Sequence, residues 1–307
     1  MIERPVEIPS GPYRLSGTYC AADSSLPQSI VLMIHGSGPL DRDENFGTQR
    51  LDVFNTIAHH LAGAGIASVR YDKRGCGAST GDYHTTGFCD LISDAVRVMD
   101  WIRKTYPEVS LYLLGHSEGC LIAPHAALRR PDIAGLILLC PFVERMESVL
   151  MRQAVQIERE LARLPGIAGT LNRLAARLFG TPTATQRKLI ARLRSTKQDT
   201  SRVGLRRFPD KWLRELLDVD PESVFRQIDH PMLLIGGAKD VQCLPEDVSR
   251  IAALSPAPIE SHVLEDLTHL LRCDDGPPSL MGSRRLPDKP IEPAILDLIL
   301  RWVCKHR

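Results

Sequence analysis

A serine flanked by glycines at two-residue spacing, Gly115-His116-Ser117-Glu118-Gly119, is the pattern by which a sharp strand-to-helix turn exposes a nucleophilic hydroxyl. A short apolar run, Val109 to Leu114, precedes it and a helix-like stretch, Glu118 to Leu128, follows. Strand, elbow and helix are therefore all in place. A serine hydroxyl is a weak nucleophile at neutral pH, so it needs a general base and a third group that holds the base in the right tautomer. In a doubly wound sheet those partners belong on loops at the carboxyl ends of later strands, in the order serine, acid, histidine. Gly236-Gly237-Ala238-Lys239-Asp240 follows the apolar run Pro231 to Ile235 and makes Asp240 the acid, with Glu246 and Asp247 as fallbacks. Glu265-Asp266-Leu267-Thr268-His269 follows the run Glu260 to Leu264 and makes His269 the base.

Acyl transfer also needs donors aimed at the developing oxyanion. The backbone N–H of Glu118, at the positive end of the elbow helix, is one, and the backbone of Ser37 in His35-Gly36-Ser37-Gly38 is the other. The remaining candidates read as structural. His59, His60, His125 and His262 fall on helices or a strand, while His84 lies on a loop. Asp41-Arg42-Asp43-Glu44 reads as a solvated charge cluster near the site entrance. Arg74-Gly75-Cys76-Gly77 lacks the lysine and spacing of a phosphate loop, and Cys120 reads as packed beneath Ser117.

The elements that must carry these residues alternate between strand and helix over the first half of the chain, the pattern of a mostly parallel sheet covered on both faces. Val6 to Ile8 and Tyr13 to Tyr19 form an opening hairpin, and Ile30 to Ile34 and Ala67 to Tyr71 are buried strands. Helices are expected near Arg50 to Leu61 and over Phe88 to Ile102, the latter capped by Thr85 or Thr86. After the strand Ile133 to Cys140 the alternation stops. Residues 143–225 show helical periodicity broken by prolines and glycines, and no strand. The sheet resumes at Pro231, with a helix near Pro245 to Ala253, a proline-bearing connector Pro277 to Pro293 and a final helix Pro293 to Lys305. The reading is one doubly wound α/β domain, residues 1–142 and 226–307, with a helical cap inserted at 143–225.

The chain is 43% hydrophobic, enough for a large core, and its formal net charge is +1. A balance so close to neutral carries no signature of nucleic-acid or membrane-surface partners, which leaves a small molecule as the expected ligand. No run is long enough to span a bilayer and the N-terminus does not read as a leader, so a cytoplasmic protein is expected. Eight scattered cysteines without paired spacing read as reduced thiols, and no metal or organic cofactor is required. The charge is unevenly distributed: residues 143–225 hold 16 Lys and Arg against 10 Asp and Glu, the remainder 22 against 27. Arginines that solubilise the cap and pair across domains account for this, and attraction of an anionic acyl carrier is the sharper alternative.

The segments His35 to Asn45 (HGSGPLDRDEN), Arg70 to Tyr83 (RYDKRGCGASTGDY), Leu113 to Gly119 (LLGHSEG), Pro231 to Cys243 (PMLLIGGAKDVQC) and Leu264 to Leu271 (LEDLTHLL) resemble, in this order, the α/β-hydrolase superfamily and its serine carboxylesterase and peptidase-like branch. The resemblance implies Ser117 as nucleophile, Asp240 as acid, His269 as base, and Ser37 with Glu118 as oxyanion donors. It implies hydrolysis of a carboxylic ester through an acyl-enzyme. Thioester or peptide cleavage, acyl transfer and a non-catalytic ligand receptor are the alternatives. Cys243 departs from the aliphatic residue usual at its position.

Overall fold

The computed structural model describes residues 1–204, 206–280, 286 and 288–307, which includes only the two ends of the expected connector Pro277 to Pro293. In chain order the elements are β1 (Ile2–Ser10), β2 (Tyr13–Ala21), β3 (Ser29–Ile34), α1 (Val53–Gly63), β4 (Ala67–Tyr71), α2 (Phe88–Thr105), β5 (Ser110–His116), α3 (Gly119–Arg129) and β6 (Gly135–Leu139). Then come α4 (Met146–Ala162), α5 (Gly166–Phe179), α6 (Pro182–Ser195), β7 (Ser201–Val203), β8 (Arg206–Phe208), α7 (Asp210–Leu217) and α8 (Pro221–Phe225). The chain closes with β9 (Met232–Gly237), α9 (Glu246–Leu254), β10 (Ile259–Leu264) and α10 (Pro293–Lys305).

Eight strands form one sheet in the order β1-β2-β4-β3-β5-β6-β9-β10. β1 and β2 pair antiparallel, β2 meets β4 antiparallel, and every later pairing is parallel. Every residue of β3, β4, β6 and β9 is buried. That requires helices on both faces, which explains why these strands read as continuous apolar runs and not as alternating ones. The edge strand β10 alternates instead, with Glu260 and His262 paired to each other at its surface.

Two local expectations are corrected. α2 is capped by neither Thr85 nor Thr86: Gly87 precedes its first residue, and the Asp90 side chain reaches back to accept the Gly87 N–H at 2.8 Å. Thr85 ends a short 3₁₀ turn, where the earlier Asp82 has already taken the capping role. The stretch between β6 and β9 also contains a strand pair, β7–β8, closed by Gly204 at φ 62°. At three residues each, with arginines on both sides of the turn, these strands carry too short an alternation to be told from loop.

The turn between β5 and α3 is where the fold meets the chemistry. Ser117 sits at φ 54°, in the left-handed region that costs an L-residue energy. It is pinned there by its own N–H donating to the Leu139 carbonyl at 3.0 Å and by its carbonyl accepting from Cys120 at 2.8 Å. The flanking glycines are steric requirements. A Cβ at Gly119 would strike the Ile34 carbonyl, and one at Gly115 would strike the carbonyl of Gly119. Cys120 lies buried beneath the turn, its thiol donating toward Gly115 and Leu139 carbonyls. Ser117→Gly and Ser117→Ala both lose the hydroxyl and differ only in the strained Cβ. Ser117→Gly is therefore expected to be the more stable of the two by about 1 kcal/mol in urea unfolding.

Candidate active site

Three loops at the carboxyl ends of β5, β9 and β10 bring Ser117, Asp240 and His269 together. His269 Nε2 lies 2.9 Å from Ser117 Oγ, and His269 Nδ1 lies 2.7 Å from Asp240 Oδ2. Asp240 is buried, and its other oxygen accepts the backbone N–H groups of Gln242 at 2.8 Å and Cys243 at 2.9 Å. Burial alone would raise the carboxyl pKa, but His269 and the two amides outweigh it and hold the group below its ordinary value. A carboxylate so fixed dictates that Nδ1 carries a proton, which leaves Nε2 free to accept one from Ser117. The fallback acids lie elsewhere. Asp247 is buried against Val143 N–H and Arg250, and Glu246 is in the first turn of α9.

The loop after β3 places Gly36 and Ser37 beside Ser117, and both line the same cavity as the serine. Among the described residues no acceptor takes the N–H of Ser37 or of Glu118. What holds this loop went unread in the sequence. Glu44, in a cluster that reads as solvated surface, is 1% exposed, and its Oε1 accepts the Gly36 N–H at 2.7 Å. Its Oε2 lies 2.8 Å from Nδ1 of His116, the residue before Ser117, and His116 Nε2 lies 3.0 Å from the backbone carbonyl of His269. With an acceptor at each nitrogen, the His116 ring is satisfied only when doubly protonated.

Burial opposes the charge on His116, but Glu44 and the His269 carbonyl prevail and its pKa is raised. Burial likewise opposes the Glu44 anion, and His116 with the Gly36 amide prevails to lower its pKa. His35, next to Gly36, shows the contrary outcome: burial and the nearby Lys73 push it down to about 4.

On the other side of the loop, the ammonium of buried Lys73 donates to the Gly36 carbonyl and lies 3.0 Å from Glu118 Oε2. The remaining oxygen of Glu118 accepts the indole N–H of Trp212 on α7. The neighbouring Asp72 is chelated by Arg42, at 3.1 and 2.7 Å, and accepts the Ala78 amide at 2.9 Å. The charged runs after β3 and β4 are thus each other's partners. Sequence offers one signal for this: two charge-bearing loops that must both reach the ends of adjacent parallel strands.

The cavity over Ser117 measures about 330 Å³. Its walls are mainly apolar, with Leu40, Phe142, Met146, Val149, Leu150 and Trp212 among them, and Gln153, Gln242 and Cys243 also face it. Three of these walls come from α4 and one from α7, in the stretch between β6 and β9. Among the described residues no lysine or arginine lines it, and the one carboxylate that does, Glu44, is committed to Gly36 and His116.

A mostly parallel eight-stranded sheet, a strained serine at its central strand-to-helix turn, and a histidine and an acid on later loops define an α/β hydrolase. The chain belongs, within that class, to the family described as serine aminopeptidase, S33, whose model matches residues 27–275. Among curated proteins it is 27% identical over 293 residues to the esterase EstD of Thermotoga maritima, covering 95% of this chain and 66% of that protein. It is 31% identical over 122 residues to the monoglyceride lipase of Mus musculus, covering 39% and 37% respectively. The match thus spans just under two-thirds of the esterase and little more than a third of the lipase. Among solved structures, Est1E from Butyrivibrio proteoclasticus superposes with a TM-score of 0.63 at 16% identity over 98% of each chain, a likeness of fold. No helix among the described residues is long and apolar enough to cross a membrane.

The two shifted groups set a pH window. Glu44, lowered from 4.5, contributes stability that is complete above pH 4.5 and is lost as pH falls through its folded value. His116, raised from 6.5, contributes stability that is complete below pH 6.5 and is lost as pH rises through its folded value. The stability gap between wild type and Glu44→Gln is therefore expected to plateau between pH 4.5 and 6.5, at about 3 kcal/mol, and to shrink on either side in urea unfolding. A gap that grows steadily from pH 5 to 9 would contradict a charged pair.

Proposed function

We propose that the protein hydrolyses carboxylic esters of neutral, apolar acyl groups through an acyl-enzyme. The observation that carries this is the unbroken chain from Asp240 through His269 to Ser117, opening onto an apolar cavity. Ser117 Oγ attacks the ester carbonyl as His269 Nε2 takes its proton. The carbonyl oxygen becomes an oxyanion, received by the N–H groups of Ser37 and Glu118. On collapse, His269 returns the proton to the departing alkoxide. Water then attacks the acyl-serine with His269 as base, releasing the acid and restoring Ser117. Asp240 stabilises the imidazolium at both stages. No step in this sequence uses a metal or an organic cofactor.

Residues 1–142 and 226–307 form the catalytic core in this reading, and 143–225 the cap that supplies the apolar walls. The cavity's charge inventory supports an ester over the other substrates. A peptide N-terminus needs a free carboxylate for its ammonium, and Glu44 is committed; an anionic carrier needs a cation, and none of the described residues supplies one to the cavity. Cap cations instead meet acids of the core, with Lys211 on Asp90 at 2.7 Å and Arg207 on Asp82 at 2.8 Å.

Lys73 acts as a positioning residue. The carbonyl it holds belongs to the same peptide unit as the Ser37 N–H, and in a trans peptide the two point in opposite directions. Fixing one aims the other.

In a panel of nitrophenyl esters, an acyl thioester and an aminoacyl amide, turnover is expected on the esters and to fall by at least about a thousandfold in Ser117→Ala. No Ser117-dependent turnover of any of them, with no labelling by a fluorophosphonate, would sink the catalytic reading in favour of a ligand receptor. In Lys73→Met/Glu118→Gln, which removes both buried charges together, kcat is expected to fall about tenfold to a hundredfold while KM stays within about twofold. A change confined to KM, or to stability alone, would show that Lys73 does not orient the donor.

A further inference from the structure

We propose that α5 seats the protein on an anionic lipid surface. Ile167, Leu171, Leu174 and Leu178 recur along this helix at intervals of four, three and four residues and share one face. They are 81%, 60%, 52% and 68% exposed, and Phe179 at the helix end is 80% exposed. Among the described residues, every other large apolar side chain exposed to this degree is isolated in the chain, as Leu26 and Phe46 are. A continuous apolar stripe left in water is a docking surface in need of a partner.

The charge around the stripe says which partner. From Leu161 to Gln198 the chain carries eight Lys and Arg and no Asp or Glu. Arg192 and Arg194 are spent on Asp210 and Glu147. Arg163, Arg177, Arg187 and Lys188 are exposed and have no ion-pair partner among the described residues. Arg177 is on α5 itself, Arg163 precedes it in the chain, and Arg187 and Lys188 are on the next helix, α6. An apolar helix face with unpaired basic residues near it in sequence is the composition of an interfacial helix, its apolar side among acyl chains and its cations at anionic headgroups. A second copy of the chain is disfavoured as occupant, because stacking two such surfaces would oppose two all-basic stretches. A polyanion without an apolar phase would leave the leucines in water.

At 14 residues α5 is too short to span a bilayer and would lie along its surface. The near-neutral net charge, which by itself carries no membrane signature, conceals this because the acids that balance the basic stretch lie outside residues 161–198. α5 packs against α4, the helix that gives the cavity Met146, Val149 and Leu150, so lipid contact would sit one helix away from the site.

The test is flotation of the full chain with vesicles of phosphatidylcholine alone and with vesicles in which about a third of the lipid is phosphatidylglycerol. Wild type is expected to float with the anionic vesicles at least about tenfold more than with the neutral ones, and to be released by salt. L171E/L178E, which changes only exposed side chains, is expected to lose that binding while hydrolysing a water-soluble short-chain ester at the wild-type rate. Flotation is read without turnover, so it stands whether or not the ester assignment does. Equal flotation with both vesicle types, flotation with neither, or full binding by L171E/L178E overturns the proposal. So does a wild-type dimer in sedimentation that L171E/L178E converts to monomer, which would assign the stripe to self-association.

Discussion

One residue, Gly36, ties the site together through both of its backbone polar groups. The N–H of Gly36 is taken by the buried carboxylate of Glu44, and its carbonyl by the buried ammonium of Lys73. Each of those charges continues into a different part of the molecule. Glu44 passes through His116 to the backbone of His269, and Lys73 passes through Glu118 to Trp212 on α7. The loops after β3, β4, β5 and β10 and the stretch between β6 and β9 are therefore registered to one another through a single glycine. Elsewhere apolar packing holds the sheet to its helices, and here hydrogen bonds fix angles that packing leaves free.

Four buried charges in so small a volume are costly to desolvate. They persist because each finds an opposite charge and its remaining hydrogen-bond capacity is met by backbone or indole groups. The outcome at two adjacent histidines shows how local the balance is. His35 faces a carbonyl and a nearby ammonium and its charged form is disfavoured, whereas His116 faces a carboxylate and a carbonyl and its charged form is favoured. The same burial acts on both, and the partners decide.

The strand and helix alternation was legible because buried parallel strands announce themselves as apolar runs, and Ser117, Asp240 and His269 because each follows such a run at a loop. The final helix was read to the residue, Pro293 to Lys305, since proline and periodicity mark its start and course. Glu44 was not legible: side-chain type cannot reveal that a carboxylate in a charged loop is buried when its partner, His116, lies 72 residues away. His116 was hidden for a related reason, as a variable-looking position inside the elbow pattern. Whole-chain charge averages the all-basic stretch of residues 161–198 against acids elsewhere.

The indole of Trp212 has a consequence for anyone who would replace the stretch between β6 and β9. Glu118 is 1% exposed and gives one oxygen to Lys73 and the other to the tryptophan N–H. A replacement stretch matched only for length and apolar character would leave that oxygen sealed from water without a donor, in the residue next to Ser117. The exchange has one chemical specification that no shape criterion contains: a hydrogen-bond donor delivered to the place the indole now occupies.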